Sequence, residues 1–542
     1  MTIVASFPCD KAIVGAATDS APCTRTAEPW ILATTILASS MVFIDGTVVN
    51  VALPAMQRAL DATLGDAQWI VEAYELMLAA LLLVGGAAGD RFGRRRVFAI
   101  GVAVFTVASV ACGLSDHVGA LVAGRSLQGV GGALLVPGSL ALLSASFDPQ
   151  RRGRAIGIWS GFTAISAALG PVVGGFLIDH GSWRYVFFIN VPLAVAVLVL
   201  TFRYVPESRG VSSADPIDWF GAVLAAMGLG GVVYALIEAQ FVGWSDPTTW
   251  GSLALGLCAL AAFIVVEWRH PAPMLPLRLF RSAEFAGANL LTLLLYAALG
   301  GSLFFFPLNL IQVQGYSTVA AGAALLPFVL LMFVLSSWAG GLVDRHGAKL
   351  PLIIGPVIAA CGFAMFAIPG AGGSYWTTFF PAAVVLGFGM TLTVAPLTTT
   401  VMQSVAPTAV GVASGVNNAV SSVAGLLAIA SLGMVMSRTF DVDLRGRLAA
   451  ASLSPQIVAA VQSQRAKLAA IEIPSSASPE AHASIKGAVA ASFVTGFRRV
   501  MLIAALLALA SAASAWLMIG RRRSTRDSAA QRVKAHSRAD GR

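Results

Sequence analysis

Charge is scarce in this chain of 542 residues. Asp, Glu, Lys and Arg make up only 11% of it, whereas 57% of the residues are hydrophobic and the mean hydropathy is +0.80. Ordinary soluble domains are about 25% charged, because a soluble surface has to be covered with polar groups. The composition therefore argues against a soluble enzyme, a nucleic-acid-binding module and a disordered scaffold, and it predicts a multi-spanning membrane protein.

Motifs for metal, redox and nucleotide chemistry are also missing. The five cysteines include no CxxC pair, and the six histidines are dispersed. No GxxxxGK[ST] loop is present, so a primary pump would need a partner chain to bind ATP. We expect no metal site, no cofactor, no enzymatic activity and no nucleic-acid partner.

Fourteen apolar segments are long enough to cross a bilayer, which takes about 20 residues. Backbone polar groups must be paired within lipid, so we expect these spans to be helices and the fold to be all-α. The predicted spans are about 30–53, 67–89, 97–114, 120–145, 155–178, 186–202, 219–239, 250–268, 286–310, 320–343, 350–368, 376–402, 411–435 and 500–519.

The distribution of basic residues predicts the orientation. If the N-terminus is cytoplasmic, the short outer loops hold only Arg58 and Arg184, whereas the inner segments hold most of the other Lys and Arg residues. Short cytoplasmic loops are enriched in these residues. Both termini are therefore predicted to be cytoplasmic, and the long loop 436–499 to lie outside.

Two segments of the chain resemble one another. Gly86–Arg95 reads GAAGDRFGRR and Gly340–Lys349 reads GGLVDRHGAK, each after the second span of its half. The general enrichment of short cytoplasmic loops in Lys and Arg would explain the basic residues of the two segments, but not the matched Gly and Asp. We interpret these segments as switchable turns between helices. The candidate gating residues are Gly86, Asp90, Arg91, Gly93, Arg94, Arg95, Asp344, Arg345 and Gly347.

The repeat predicts two six-helix bundles of the same orientation with two further spans inserted between them, an arrangement found in transporters. The predicted units are a cytoplasmic tail at 1–29, the N-terminal bundle at 30–205, and the inserted spans with their linkers at 206–285. The C-terminal bundle follows at 286–519, and a basic cytoplasmic tail at 520–542.

Ionisable residues inside the spans are few, and each is a functional candidate because burying a charge in lipid costs several kcal/mol. Asp45, Glu72, Glu75 and Arg125 all fall in the outer half of the N-terminal bundle, and the C-terminal spans hold no comparable acid. Two alternatives stay open: Asp45 could be a packing group bonded to Thr47 or Asn50, and Glu72 could lie at the membrane interface.

Six short motifs form a recognisable set: GAAGDRFGRRR after span 2, RSLQGVGGA (Arg125–Ala133), GPVVGG (Gly170–Gly175), FIDGTVVNVALP (Phe43–Pro54), WRYVFFINVP (Trp183–Pro192) and GVASGVNNAV (Gly411–Val420). The set resembles the major facilitator superfamily, and specifically its fourteen-helix drug:proton antiporters of the EmrB/QacA type. One departure is the region after Asn417 and Asn418, which reads AVSSVAG where the family often has a basic residue.

The resemblance implies the major facilitator fold and a proton-coupled exporter that works by alternating access in the bacterial inner membrane. It implies that Asp45 is the proton site and Arg125 its modulator; Glu75, Glu72 and Asn50 complete the candidate coupling and substrate set. It also implies a packing motif that closes a leak, formed by Gly170, Pro171, Gly174 and Gly175. The proton gradient would supply the energy.

Apolar walls with buried acids favour lipophilic, cationic drugs as substrates. Candidate cavity residues are Tyr296, Phe305, Asn309, Asn417 and Asn418, although bundle packing would also explain the aromatic ones. Export of one specific metabolite, or a receptor on the same fold, stays open. The expected partners are a small lipophilic substrate, protons and the lipid bilayer. A periplasmic adaptor is a further candidate, and a monomer is favoured.

Overall fold

The described part of the chain is helical. A computed structural model describes residues 27–147, 149–209, 218–270, 273–405, 410–451 and 453–520. Within these ranges there is no strand, and 14 helical segments are long and apolar enough to cross a membrane. The predicted all-α membrane fold with fourteen spans is confirmed.

The helices follow the predicted order of spans, and we call their ends inner or outer according to the predicted orientation. The first six spans are α1 (Glu28–Leu60), α2 (Leu64–Phe92), α3 (Arg94–Leu114), α4 (Val118–Ser146), α5 (Pro149–Asp179), and α6 (Tyr185–Phe188) with α7 (Asn190–Tyr204). The inserted pair is α8 (Trp219–Glu238) and α9 (Pro247–Arg269).

The second bundle begins with α10 (Ala283–Leu308), which ends in a π-helical turn, Asn309–Val313. It continues with α11 (Thr318–Ala323), α12 (Leu326–His346), α13 (Lys349–Phe366), α14 (Tyr375–Gln403), α15 (Val410–Ala450), α16 (Pro455–Ser463) and α17 (Pro479–Met518). Helices α15 and α17 extend well beyond the predicted spans, so much of the outer segment 436–499 is helical. Short 3₁₀ helices occupy Leu277–Arg281 and Arg465–Ala470.

The two resembling turns share an unusual backbone conformation. Gly93, between α2 and α3, has φ of +111°, and Gly347, between α12 and α13, has φ of +76°. Residues with a Cβ rarely adopt positive φ, so glycine is required for the turn at both sites. The agreement extends the sequence match to the backbone and supports the interpretation of the two segments as repeats.

Close helix contacts in the first bundle depend on glycine. A Cβ on Gly85 of α2 would lie 1.9 Å from the carbonyl oxygen of Ala133 on α4, and one on Gly129 of α4 would lie 2.4 Å from the carbonyl oxygen of Tyr74. Helices in lipid associate largely through such packing, because lipid tails supply little hydrophobic drive. The approach of α2 to α4 brings Tyr74 next to Arg125.

The inserted pair contacts both bundles. Side chains of α8, including Val233 and Ile237, form one apolar cluster with Ala79 of α2 and with Leu426 and Ala430 of α15. The pair α8–α9 therefore covers the outer part of the junction between α2 and α15, in addition to linking the halves of the chain.

Replacing Gly85 with Ala should destabilise the protein, because the new methyl group would overlap the backbone of α4. We expect an overpacking cost of about 1–3 kcal/mol, seen as a lower midpoint of thermal unfolding in detergent. Gly86→Ala is the matched control, since its Cβ would lie 3.6 Å from Pro137, an ordinary contact. Equal stability of the two variants would contradict the close α2–α4 contact.

Candidate functional site

An ion pair lies at the centre of the first bundle. The guanidinium of Arg125 on α4 donates to the carboxylate of Asp45 on α1, and their side chains are 1% and 0% exposed. Two buried charges in contact compensate one another, whereas removing either partner leaves the other unpaired at a cost of about 3–5 kcal/mol. The structure thus brings into direct contact the two residues that the sequence analysis named as proton site and modulator.

Two amide side chains complete the surroundings of Asp45. Gln128 of α4 donates from Nε2 to Oδ1 of Asp45 at 3.0 Å, and Asn190 of α7 donates from Nδ2 to the same oxygen at 3.2 Å. Asn190 also donates to Ser109 Oγ at 2.9 Å, and the Ser109 hydroxyl donates to a backbone carbonyl at 2.8 Å. Two helices, α4 and α7, therefore hold the carboxylate of α1 through three hydrogen-bonding side chains.

Arg125 has further partners of its own. Its Nε donates to the carbonyl oxygen of Ile70 at 3.0 Å, and an Nη donates to Oε1 of Gln128 at 2.9 Å. The guanidinium also lies 4.2 Å from the centre of the Tyr74 ring, within range of a cation–π interaction. Arg125 would therefore keep several contacts if a proton neutralised Asp45.

Gln128, Asn190, Tyr74 and Ser109 were missed by the sequence analysis. Signals for two of them were present: Gln128 shares a helix face with Arg125 at i, i+3, and Asn190 falls within the motif WRYVFFINVP. The alternative partners proposed for Asp45 are wrong, because Thr47 donates to Phe43 O at 2.9 Å and Asn50 to Gly46 O at 3.4 Å.

The two glutamates of α2 differ in their surroundings. Glu72 is 0% exposed, and neither carboxylate oxygen has a hydrogen-bond partner among the described residues. Its burial within the protein contradicts a position at the membrane interface. Glu75 is partly buried and faces α1, where its Oε1 lies 4.0 Å from the position that a Cβ on Gly46 would take.

A cavity of about 870 Å³ lies between the two bundles. It is lined mainly by apolar side chains. Among the described lining residues, the polar ones are Thr47, Asn50 and Ser336, and none is ionisable. The lining consists of Thr47, Asn50, Val51, Gly157, Gly161, Ala167, Ala168, Pro171, Leu303, Pro307, Leu325, Phe328, Val329, Met332, Phe333, Val334, Ser336 and Val394.

The residues predicted to line a substrate cavity do not line this one. On α10 the cavity is bounded by Leu303 and Pro307, which are i, i+4, whereas Phe305 is 0% exposed and packs into the apolar core. Asn309 is likewise buried and Tyr296 packs against the core. In span 13, Asn418 is exposed and Asn417 donates to Asn289 Oδ1 and Thr292 Oγ1.

The glycine motif of α5 packs in two directions. On one side, a Cβ on Gly170 would lie 2.2 Å from Thr47 of α1, and a Cβ on Gly174 would lie 2.0 Å from Val48 of the same helix. On the opposite side, a Cβ on Gly175 would lie 2.6 Å from the carbonyl oxygen of Thr318, and the Pro171 carbonyl closely approaches Gly322 of α11. The motif therefore packs α5 against its own bundle and also against the outer end of the second bundle.

Asp179 adds a polar contact between the bundles at the same outer end. Its carboxylate accepts the backbone N–H groups of Thr318 and Val319 at 3.2 and 3.0 Å, at the start of α11. A carboxylate is favourable at a helix N-terminus, where backbone donors are unpaired and the helix dipole is positive. A second hydrogen bond joins the bundles here, because Nε2 of Gln312 donates to Oε1 of Gln57 at 2.9 Å. Asp179 was not among the predicted site residues.

The predicted gating turn of the first repeat is bonded to the segment that follows α7. Asp90 forms an ion pair with Arg94 at 2.8 Å within the turn. The backbone N–H of Arg95 donates to Glu207 Oε1 at 3.0 Å, and the side chain of Arg96 lies 3.6 Å from Glu207 Oε2.

Two further gating residues of the first repeat lie near this turn. Arg91 is exposed, with its guanidinium 5.8 Å from the centre of the Phe92 ring, and Gly86 faces Pro137 of α4. The side chains of Asp344 and Arg345 lie outside the described residues, so the second turn can be compared only through its backbone.

Comparison with known proteins gives one consistent family. The family model of the Major Facilitator Superfamily matches residues 35–429. The chain is 36% identical to the tetracenomycin C resistance and export protein of Streptomyces glaucescens, over 90% of this chain and 91% of the relative. It is 34% identical to the multidrug resistance protein Stp of Mycobacterium tuberculosis, over 83% of this chain and 82% of that protein.

Solved structures agree on the fold. A bacterial homolog of the human lysosomal transporter Spinster, solved in an inward-facing and unoccupied conformation, matches with a TM-score of 0.66 and 18% identity. The match covers 91% of this chain and 97% of the other.

Within the described residues, no group of three His, Cys, Asp or Glu side chains is placed to hold a metal ion.

Asp179→Asn should weaken the outer contact between the bundles, because the amide carries no charge to interact with the start of α11. An exposed charge at a helix N-terminus is worth about 0.3–1 kcal/mol, so outer opening should increase about two- to fivefold. The measurement is labelling of Val51→Cys, in a chain whose native cysteines are replaced by Ser, with a membrane-impermeant maleimide added to intact cells.

Asp116→Asn is the control for this experiment, because Asp116 is exposed and forms an ion pair with the adjacent His117, away from the contact between the bundles. Val51 lines the cavity and is 2% exposed, so its labelling reports opening. Equal labelling in the Asp179 and Asp116 variants would show that the carboxylate does not hold the outer ends together.

Proposed function

The chain belongs to the major facilitator superfamily and is a membrane transporter of the exporter type rather than an enzyme, and from this premise we propose that it exports lipophilic drugs or toxic small molecules in exchange for protons. The names of its relatives, which are resistance and export proteins, support the direction of transport. We place it in the bacterial inner membrane with both termini cytoplasmic. The proton gradient supplies the energy, and no cofactor takes part.

The buried pair of Asp45 and Arg125 is the observation that carries proton coupling. A proton arriving at Asp45 neutralises the carboxylate and removes its attraction for the guanidinium. Because this attraction joins α1 to α4 in a region shielded from water, its loss favours a different arrangement of the two helices. Gln128 and Asn190 can still hydrogen-bond a neutral carboxyl group, so the site can exist in both charge states.

Helix α1 connects the proton site to the cavity. Asp45 is on the face buried in the first bundle, whereas Thr47, Asn50 and Val51 line the space between the bundles. Movement of α1 on protonation therefore changes the cavity wall directly. In the alternating-access cycle that we propose, the contacts around Gly175 and Asp179 close the outer end while the substrate enters from the inner side.

Glu72 is the second candidate for a proton carrier. It is buried in α2 without a hydrogen-bond partner among the described residues, and a lone charge inside a span costs several kcal/mol. A neutral carboxyl avoids most of this cost. A conformation that offers Glu72 water or a partner would let it release the proton, so the residue can change its charge with the state of the transporter.

Export of a single natural product is a narrower alternative. It is favoured by the relative from Streptomyces glaucescens, whose name specifies one compound. A screen for proton-driven uptake into inside-out vesicles, using a panel of unrelated lipophilic compounds, distinguishes the alternatives, because a multidrug exporter will carry several of them.

Asp45→Asn should abolish proton coupling, because an amide cannot take up and release a proton. In proteoliposomes, we expect the stimulation of transport by a pH gradient to fall more than tenfold, while substrate exchange in the absence of a gradient persists. Asp116→Asn serves as the control, because it removes an exposed carboxylate in the turn between α3 and α4. Wild-type transport that survives collapse of the gradient by an uncoupler would refute the proposed coupling.

Glu72→Gln should leave the protein folded, because glutamine is close in shape to a neutral glutamic acid. The number of protons exchanged per substrate should fall, as measured by recording proton flux with a pH-sensitive dye alongside substrate flux. An unchanged ratio together with unchanged thermal stability would assign Glu72 a packing role only.

A further inference from the structure

We infer that the molecule bound between the bundles is uncharged and largely apolar, that it donates a hydrogen bond, and that Asn50 is the specificity-determining residue that accepts this bond. The inference rests on the proposed export function and names the substrate class of its cavity. It differs from the expectation of a cationic substrate, which the buried acids of the first bundle had suggested.

The described lining of the cavity offers a cation no countercharge. None of the described residues that line it is ionisable, and transferring an unpaired charge into an apolar site is strongly unfavourable. Asp45 belongs to the same helix as Thr47 and Asn50, but it is 0% exposed and already accepts hydrogen bonds from three side chains. Glu75, on α2, is not among the lining residues.

The hydrogen bonds of the polar lining residues single out Asn50. The hydroxyl of Thr47 donates to Phe43 O at 2.9 Å, and that of Ser336 donates to Phe333 O at 2.9 Å, so both donors are satisfied within their own helices. Asn50 donates its amide N–H to Gly46 O at 3.4 Å. Its Oδ1 has no hydrogen-bond partner among the described residues and is shielded from solvent in this conformation. A ligand in the cavity therefore reaches this oxygen when the amide rotates, which gives up only the long bond to Gly46.

An unpaired acceptor in an apolar wall selects for donors. Leaving a buried polar group without a partner is unfavourable. A ligand that donates an O–H or N–H to Asn50 Oδ1 therefore binds more tightly than one that cannot. The cavity volume of about 870 Å³ falls within the range of small-molecule pockets. A neutral molecule of several fused rings that bears a hydroxyl or amide group fits both the volume and the polarity.

The test is equilibrium binding to the purified full chain in detergent, without a proton gradient. The probes are 2-(hydroxymethyl)anthraquinone, its methyl ether, and the permanently cationic dye ethidium. One hydrogen bond to a neutral buried acceptor should make the alcohol bind about three- to tenfold more tightly than the ether, and ethidium should bind more weakly than either.

Two substitutions at Asn50 make the inference falsifiable. Asn50→Leu should remove the preference for the alcohol over the ether while binding of the ether persists, which shows that the variant is folded. Asn50→Asp should gain affinity for ethidium, because it adds a charge to the cavity wall. Ser336→Ala is the matched control: its hydroxyl lines the same cavity but is already bonded, so the preference should be unchanged.

The results separate this inference from the proposed function. Failure of the wild type to bind the alcohol, tighter binding of ethidium than of the alcohol, or an alcohol preference that survives in Asn50→Leu would overturn the inference. None of these measurements depends on a proton gradient. Binding can follow the expectation while the rate of alcohol transport in proteoliposomes does not depend on the pH gradient. In that case the proposed proton coupling is wrong and the assignment of the substrate class stands.

Discussion

The ion pair between Asp45 and Arg125 is the constraint that organises the first bundle. Both charges are removed from water, so each depends on the other and on the dipoles around them. The amides of Gln128 and Asn190 and the carbonyl of Ile70 supply these dipoles from α4, α7 and α2. The close glycine contacts between α2 and α4 bring the helices near enough for Arg125 to reach its partners.

A continuous series of contacts runs from this pair to the outer end of the second bundle. Helix α1 carries Asp45, and its residues Thr47 and Val48 fit against the glycines of α5. The same helix α5 ends at Asp179, whose carboxylate accepts the first N–H groups of α11. Because packed interiors shift between discrete arrangements rather than deforming smoothly, a change in the position of α1 has to be accommodated by α5, and through α5 by the contact between the bundles.

The sequence was sufficient for the fold because span length and the matched turns depend on local properties: apolar runs, and glycines at positive φ such as Gly93 and Gly347. Asp45 and Arg125 could also be identified, since charge in a span is costly and therefore informative. Gln128 and Asn190 were harder, because uncharged amides are less costly in lipid and their partners are distant in sequence. The cavity could not be predicted, since α10 is apolar on all sides and its sequence does not show which face is turned towards the cavity: Leu303 and Phe305, at i, i+2, lie on nearly opposite faces.

Protons and substrate occupy different faces of one helix in the proposed mechanism, and this separation has an energetic consequence. A cation competing for the same carboxylate would exchange charge for charge, so the membrane potential would contribute nothing to a one-for-one exchange. An uncharged substrate held at Asn50 leaves the proton's charge uncompensated, so each proton entering the cell carries one net positive charge. The membrane potential then adds about 2.3 kcal/mol per proton for each 100 mV, and export draws on both components of the proton-motive force.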